Sequence, residues 1–286
     1  MRRALCLLLA AGAVALGQDR EEDLVPYSSE EVENLIETFL HTYKDKDVPE
    51  GDALSVLANL KKAWRYLESR GEDKTKDEEK LQRKVISLIS ERGLFVRKRP
   101  SVSLECARIL GELGAAAADE DLRKWLERVL DEKLPALRRV ECGFQSLAWI
   151  GAQDGESLDL VLDYASKGKH RDSGVASLAL RACYEWRHLE PRVREEFFGE
   201  IVDYLLGLWG GMGRGDFDER TKHEERYSAV RDEGLRCLEQ LAGDGSKFAN
   251  PLEADEWRKD HEKMKWQAYT GPRFRAKKAK KDENAL

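Results

Sequence analysis

Slid against itself by 37 positions, the chain places Leu110, Leu113 and Gly114 on Leu147, Ile150 and Gly151. With one residue dropped in the following loop, Leu122, Trp125 and Leu126 fall on Leu158, Val161 and Leu162. A third copy sets Val175, Ala179 and Ala182 under Val140, Phe144 and Leu147, then continues through Val193, Phe197, Phe198 and Ile201. Gly234, Leu235, Leu238, Leu241 and Ala242 form a fourth, partial copy. Apolar spacings of three and four within each copy mark amphipathic helices. A unit of about 36 residues holding two such helices cannot bury its apolar faces alone, so the copies must stack into a continuous core. Ala107, Gly143, Ala179 and Gly234 are small residues expected to let neighbouring helices approach closely.

The flanks carry the same helical periodicity. Ser28 with Glu31 offers a capping box ahead of the stripe Val32, Leu35, Ile36, Phe39, Leu40 and Tyr43. After Pro49 and Gly51 a second stripe runs through Ala53, Leu54, Leu57, Leu60, Trp64 and Leu67. Leu81, Val85, Leu88 and Ile89 draw a third, and the charged stretch 71–79 before it reads as a loop. These spacings predict helices over 29–43, 51–70 and 79–92, capping one end of the stack, with a further helix over 254–266 capping the other. Hydrophobic residues at 41% suffice for a sizeable core, and 36% charged with 8% aromatic suits long helices with solvated faces.

The segments Leu110-Gly-Glu-Leu-Gly114 and Leu147-Ala-Trp-Ile-Gly151-Ala-Gln-Asp resemble the second-helix ending of HEAT repeats, over roughly residues 100–245. Trp257 to Trp266, with Lys263 and Lys265 between them, is similar to the Trp- and Lys-rich C-terminal segment of some exported bacterial HEAT-repeat proteins. The resemblance implies an all-α, short right-handed α-solenoid of HEAT-like helix pairs, an α-α superhelix with helical caps. Its expected organisation is an N-terminal helical cap over 18–100, repeats over 101–245 with a Gly-rich insertion near 207–224, a helical segment over 246–272 and a basic tail over 273–286.

Two terminal segments speak to location. Arg2 and Arg3, the apolar run from Ala4 to Leu16, and the small residues Ala15 and Gly17 before Gln18 form a secretory signal pattern over residues 1–17. The run is too short for a spanning helix of about 20 residues, so export to the periplasm or medium is expected. Without Arg2 and Arg3 the chain carries 47 basic against 55 acidic residues, which disfavours a general nucleic-acid role. Arg273, Arg275, Lys277, Lys278, Lys280 and Lys281 form a basic run that reads as a solvated tail and, as a second possibility, as a contact for anionic envelope material.

Reactive chemistry finds little footing. Beyond Cys6, the cysteines Cys106, Cys142, Cys183 and Cys237 stand one per copy inside predicted helices. An even number in an exported chain invites two disulfides, but packed helix axes lie about 8–10 Å apart and a disulfide wants Cα atoms within about 7 Å, so these read as buried, unpaired thiols. His41, His170, His188, His223 and His261 are scattered and lack metal-ligand spacing. Gly210, Gly211, Gly213 and Gly215 lack the Gly-Lys-Ser/Thr of a phosphate loop and read as a flexible loop. Asp216, Asp218 and Glu219 lack the ligand order of an EF-hand. Arg214-Gly-Asp216 spells an adhesion tripeptide, a match short enough to arise by chance.

One column remains as a binding candidate. Glu112, Trp149, Tyr184 and Gln240 occupy equivalent positions on the second helices, which in HEAT-like solenoids line the concave side. Trp149 and Tyr184 become candidate anchors, with Arg108, Glu112 and Arg181 as polar contacts, because interface hot spots favour Trp, Tyr and Arg. The expectation is a non-catalytic module that binds another protein and carries no cofactor. The HEAT-like resemblance also admits a lyase-like enzyme, and the basic tail admits an envelope-associated structural protein.

Overall fold

The computed structural model describes residues 25–133, 135–151, 155–167, 169, 172–184, 186, 191–261 and 266. Residues 1–17, the basic run 273–281, His170, His188, Lys263 and Lys265 lie outside them. Among the described residues the fold is all-helical, without a strand. Its helices are α1 (Ser29–Thr42), α2 (Glu50–Ser69), α3 (Lys76–Ser87), α4 (Pro100–Leu113), α5 (Asp119–Leu130), α6 (Leu137–Ile150), α7 (Gly155–Ser166), α8 (Ser173–Cys183), α9 (Pro191–Gly211), α10 (Phe217–Ala242) and α11 (Pro251–His261).

Successive helices pack pairwise into two layers. One row is α2, α4, α6, α8 and α10, each against the next. In the other, α5, α7, α9 and α11 follow one another, while α1 packs on α2 and α3 at the N-terminal end. Contacts of α5 with α6, α7 with α8 and α9 with α10 join the rows. Leu110, Leu122, Leu126, Phe144, Leu147, Val161, Phe198, Leu238 and Leu241 are all buried between them. The apolar stripe of each copy is therefore the core stripe, and the arrangement is helical-repeat in general character.

The repeat shows in helix endings as well as in packing. Gly114 and Gly151, paired by the shift of 37, both close their helices in the left-handed region, with φ of 60° and 89°. A side chain there meets its own backbone, so glycine is the favoured stop. Close approach accounts for two other glycines. A Cβ on Gly143 would stand 2.6 Å from Leu126 Cδ1, and one on Gly234 would stand 2.9 Å from Leu205 Cδ1. Ala107 and Ala179 are likewise fully buried.

Two sequence expectations require correction. The stretch 71–79 is not a loop throughout, because Thr75 and Glu78 form a capping box that starts α3 at Lys76, after a short 3-10 turn at Gly71–Asp73. That helix then passes into a π-helical turn at Leu88–Gly93, which keeps Leu88 and Ile89 in the core. Nor is the Gly-rich insertion a flexible loop. Gly207, Gly210 and Gly211 belong to α9, Asp216 caps α10, and only a short turn separates the two helices. Leu205 and Leu208 on α9 are buried with Tyr227 and Val230 on α10, and Trp209 meets Tyr227 edge-on at 5.3 Å. That apolar seam extends the last pair to 21 and 26 residues, against 12–14 in α4 to α7.

No helix among the described residues is long and apolar enough to cross a membrane.

Candidate interaction face

The even-numbered row carries a lateral chain of polar groups on its outer side. It begins on α4, where Glu105, Arg108 and Glu112 follow at helical spacing and therefore share a face. Arg108 Nε donates to Glu105 at 2.9 Å, while its two terminal nitrogens reach Glu105 and Glu112. Lys61 on α2 pairs with Glu112 from the other side. The hydrogen bond to Glu105 and the two nearby carboxylates hold the Arg108 guanidinium above its ordinary range.

Farther along the row the charges bridge helices rather than turns. Arg181 on α8 donates to Glu141 on α6 at 3.0 Å and to Glu233 on α10 at 3.0 Å. Burial lowers the Arg181 pKa, but the bond to Glu233 and the charges of Glu233 and Glu141 outweigh it and leave the value raised. Tyr184 donates its hydroxyl to the Glu233 carboxylate and lies 3.3 Å from the Glu233 carbonyl. Burial first, and then Glu233, push the phenol well above its usual range.

Between these two clusters sits Cys142 on α6. Its thiol approaches the Leu104 carbonyl of α4 at 3.7 Å and the Ser146 hydroxyl at 3.9 Å. Burial pushes this thiol up to about 11. Contacts thus run from α2 to α10 without skipping a helix.

The candidate column is brought onto this face, though not as a set of idle anchors. Arg108, Glu112, Arg181 and Tyr184 are engaged by Glu105, Lys61, Glu141 and Glu233. Trp149 is half-buried on α6, and Gln240 is half-buried on α10. Sequence reasoning missed Lys61, Glu105, Glu141 and Glu233. One signal was available: Glu105 and Glu233 each precede their column residue, Glu112 or Gln240, by seven positions.

Other groups considered from sequence have structural roles. Asp216 accepts from the Glu219 backbone N–H at 2.9 Å as an N-cap. Among the described residues there is no group of His, Cys, Asp and Glu that could hold a metal ion, and Cys106, Cys142, Cys183 and Cys237 form no disulfide. A cavity of about 400 Å³ opens beside the α9–α10 turn, lined by Gly207, Gly210, Gly211, Arg214, Glu219 and His223 among others. At the C-terminal end Phe198, Phe248, Trp257 and Trp266 form an aromatic cluster, with ring centroids 4.9–6.1 Å apart.

Compared with known proteins, the chain matches no protein-family model, no curated protein and no solved structure.

Proposed function

We propose that this protein is an exported, non-catalytic scaffold, a HEAT-like right-handed α-solenoid that binds another protein along the face of α4, α6, α8 and α10. The lateral continuity of that face carries the reading. Helices from separate copies offer side chains at regular intervals on one extended surface, which is the means by which stacked repeats recognise long partners. Trp149 supplies apolar area within a polar surround, and Arg108 and Arg181 supply half-exposed cations held in place by their carboxylates. A preorganised guanidinium loses less freedom on binding than a mobile one.

Export rests on residues 1–17, and envelope contact on the basic run 273–281. Both belong to the proposal on sequence grounds.

A cross-linking pull-down from the exported fraction tests the binding claim, with wild type beside a Trp149→Ala/Arg181→Ala variant of unchanged melting temperature. Loss of a reproducible partner in the variant supports the face as the binding site. Equal recovery from both proteins removes the face, and no recovery from wild type removes the scaffold. Sequencing the exported protein should find Gln18 at its N-terminus.

A further inference from the structure

Two of the cysteines belong together. Cys183 ends α8, Cys237 lies on α10, the two helices pack directly, and both thiols are fully buried. Repeat geometry fixes their relationship. On α4, Gly111 precedes its column residue Glu112 by one position, and on α6, Ser146 precedes Trp149 by three. At these points α4 and α6 come close together, for a Cβ on Gly111 would stand 2.6 Å from both Cα and Cβ of Ser146. Cys183 precedes Tyr184 by one, and Cys237 precedes Gln240 by three, so the same contact between α8 and α10 falls on the two cysteines.

The neighbouring bonds hold that register. Arg181 and Tyr184 both reach Glu233, one helical turn before Cys237. In this setting burial first, and then the neighbouring Cys183, raise the pKa of the Cys237 thiol.

Cys183 and Cys237 are unpaired in the structure, as the sequence leads one to expect, but axis separation alone does not bar a link between them. Axes about 8–10 Å apart do not separate facing Cα atoms by that distance. Each Cα lies about 2.3 Å off its axis, so directly facing residues stand about 3.4–5.4 Å apart, a range that overlaps the disulfide window of about 4.4–6.8 Å.

We propose that Cys183 and Cys237 form a disulfide that clamps α8 to α10 when the chain folds in the presence of a thiol–disulfide oxidant. One cysteine thiolate attacks the oxidant's disulfide, giving a mixed disulfide and releasing one thiol. The second cysteine, as its thiolate, attacks the cysteine sulfur of that mixed bond, closes Cys183–Cys237 and releases the second thiol. Two cysteines lose two electrons and two protons, and one oxidant disulfide becomes two thiols. Because both sulfurs are buried in the folded chain, closure belongs to folding rather than to exchange in the native state. The clamp would fix the Arg181–Glu233–Tyr184 end of the interaction face. It goes beyond the scaffold reading and holds whether or not a partner binds.

The test refolds the full chain from reduced denaturant with oxidised and reduced glutathione, alkylates remaining thiols, and maps peptides by mass spectrometry. The expected product lacks about 2 Da before alkylation, yields a linked Cys183–Cys237 peptide, and leaves Cys6, Cys106 and Cys142 alkylated. Five alkylated cysteines, or another pairing, overturn the proposal. The same mapping on native protein held with oxidised glutathione in mild urea covers inefficient refolding and carries the same two outcomes. The clamped form should also melt several degrees above the reduced form.

Discussion

The hydroxyl of Tyr184, on the last turn of the α8 region, is spent on the carboxylate of Glu233, 49 residues away on α10. Arg181 reaches the same carboxylate at 3.0 Å. One acid therefore joins two side chains of the neighbouring helix. Tyr184→Phe keeps the ring and removes the donor, with an expected loss of about 1–2 kcal/mol. Urea unfolding reads the loss, and a double-mutant cycle with Glu233→Gln should show the two changes to be less than additive. Full additivity would mean that the bond does not contribute.

Gly111 and Gly207 should respond to alanine in opposite directions. At Gly111 the new methyl meets the Ser146 backbone, and crowding of about 1–3 kcal/mol exceeds the roughly 1 kcal/mol gained in helix propensity. At Gly207 nothing lies within 4 Å of the added Cβ, so only the gain remains, up to about 1 kcal/mol. Thermal melts of Gly111→Ala and Gly207→Ala should therefore bracket wild type, lower and higher respectively.

Asp216→Ala tests whether the Gly-rich insertion is a helical hairpin. Its carboxylate caps α10 by accepting from Glu219 N–H, and losing such a cap costs about 1 kcal/mol. Circular dichroism should show reduced helicity with a lower unfolding free energy. A flexible segment at this place would leave both measurements unchanged.

The Cys142 thiol makes stability depend on pH. Burial raises it from an ordinary 9.0 to about 11 in the folded chain, so unfolding releases a proton between those values. Its contribution is fully present below pH 9 and is lost as the pH rises through about 11, an effect on the order of 2–3 kcal/mol. In reductant, wild type should lose more stability between pH 8 and pH 11 than Cys142→Ala. Parallel decline in the two proteins would assign the loss to other groups.

The helix pairs were legible because burial demands a stripe and the stripe repeats. Leu110 and Leu147, 37 residues apart, are both fully buried, and Gly114 and Gly151 both end helices with positive φ. Gly210 and Gly211 misled because glycine weakens a helix in isolation, whereas here the seam of Leu205, Leu208, Tyr227 and Val230 holds the backbone helical. Thr75 and Glu78 were a visible capping box hidden in a run of charges. The ladder itself could not be read directly. Arg181 finds Glu141 and Glu233 across 40 and 52 residues, and which acid faces which base depends on the lateral register of packed helices, a property of no single segment.

The order of the rows also sets an order of assembly. Each pair finds its main contacts on helices next to it in the chain, so a polypeptide emerging from its N-terminus can add one unit at a time without waiting for distant sequence. The exception is Phe198 on α9, whose ring is covered by Phe248, Trp257 and Trp266. Until those residues arrive the ring of Phe198 stays uncovered and sticky, and the three aromatic side chains act as a seal over that end of the helical stack.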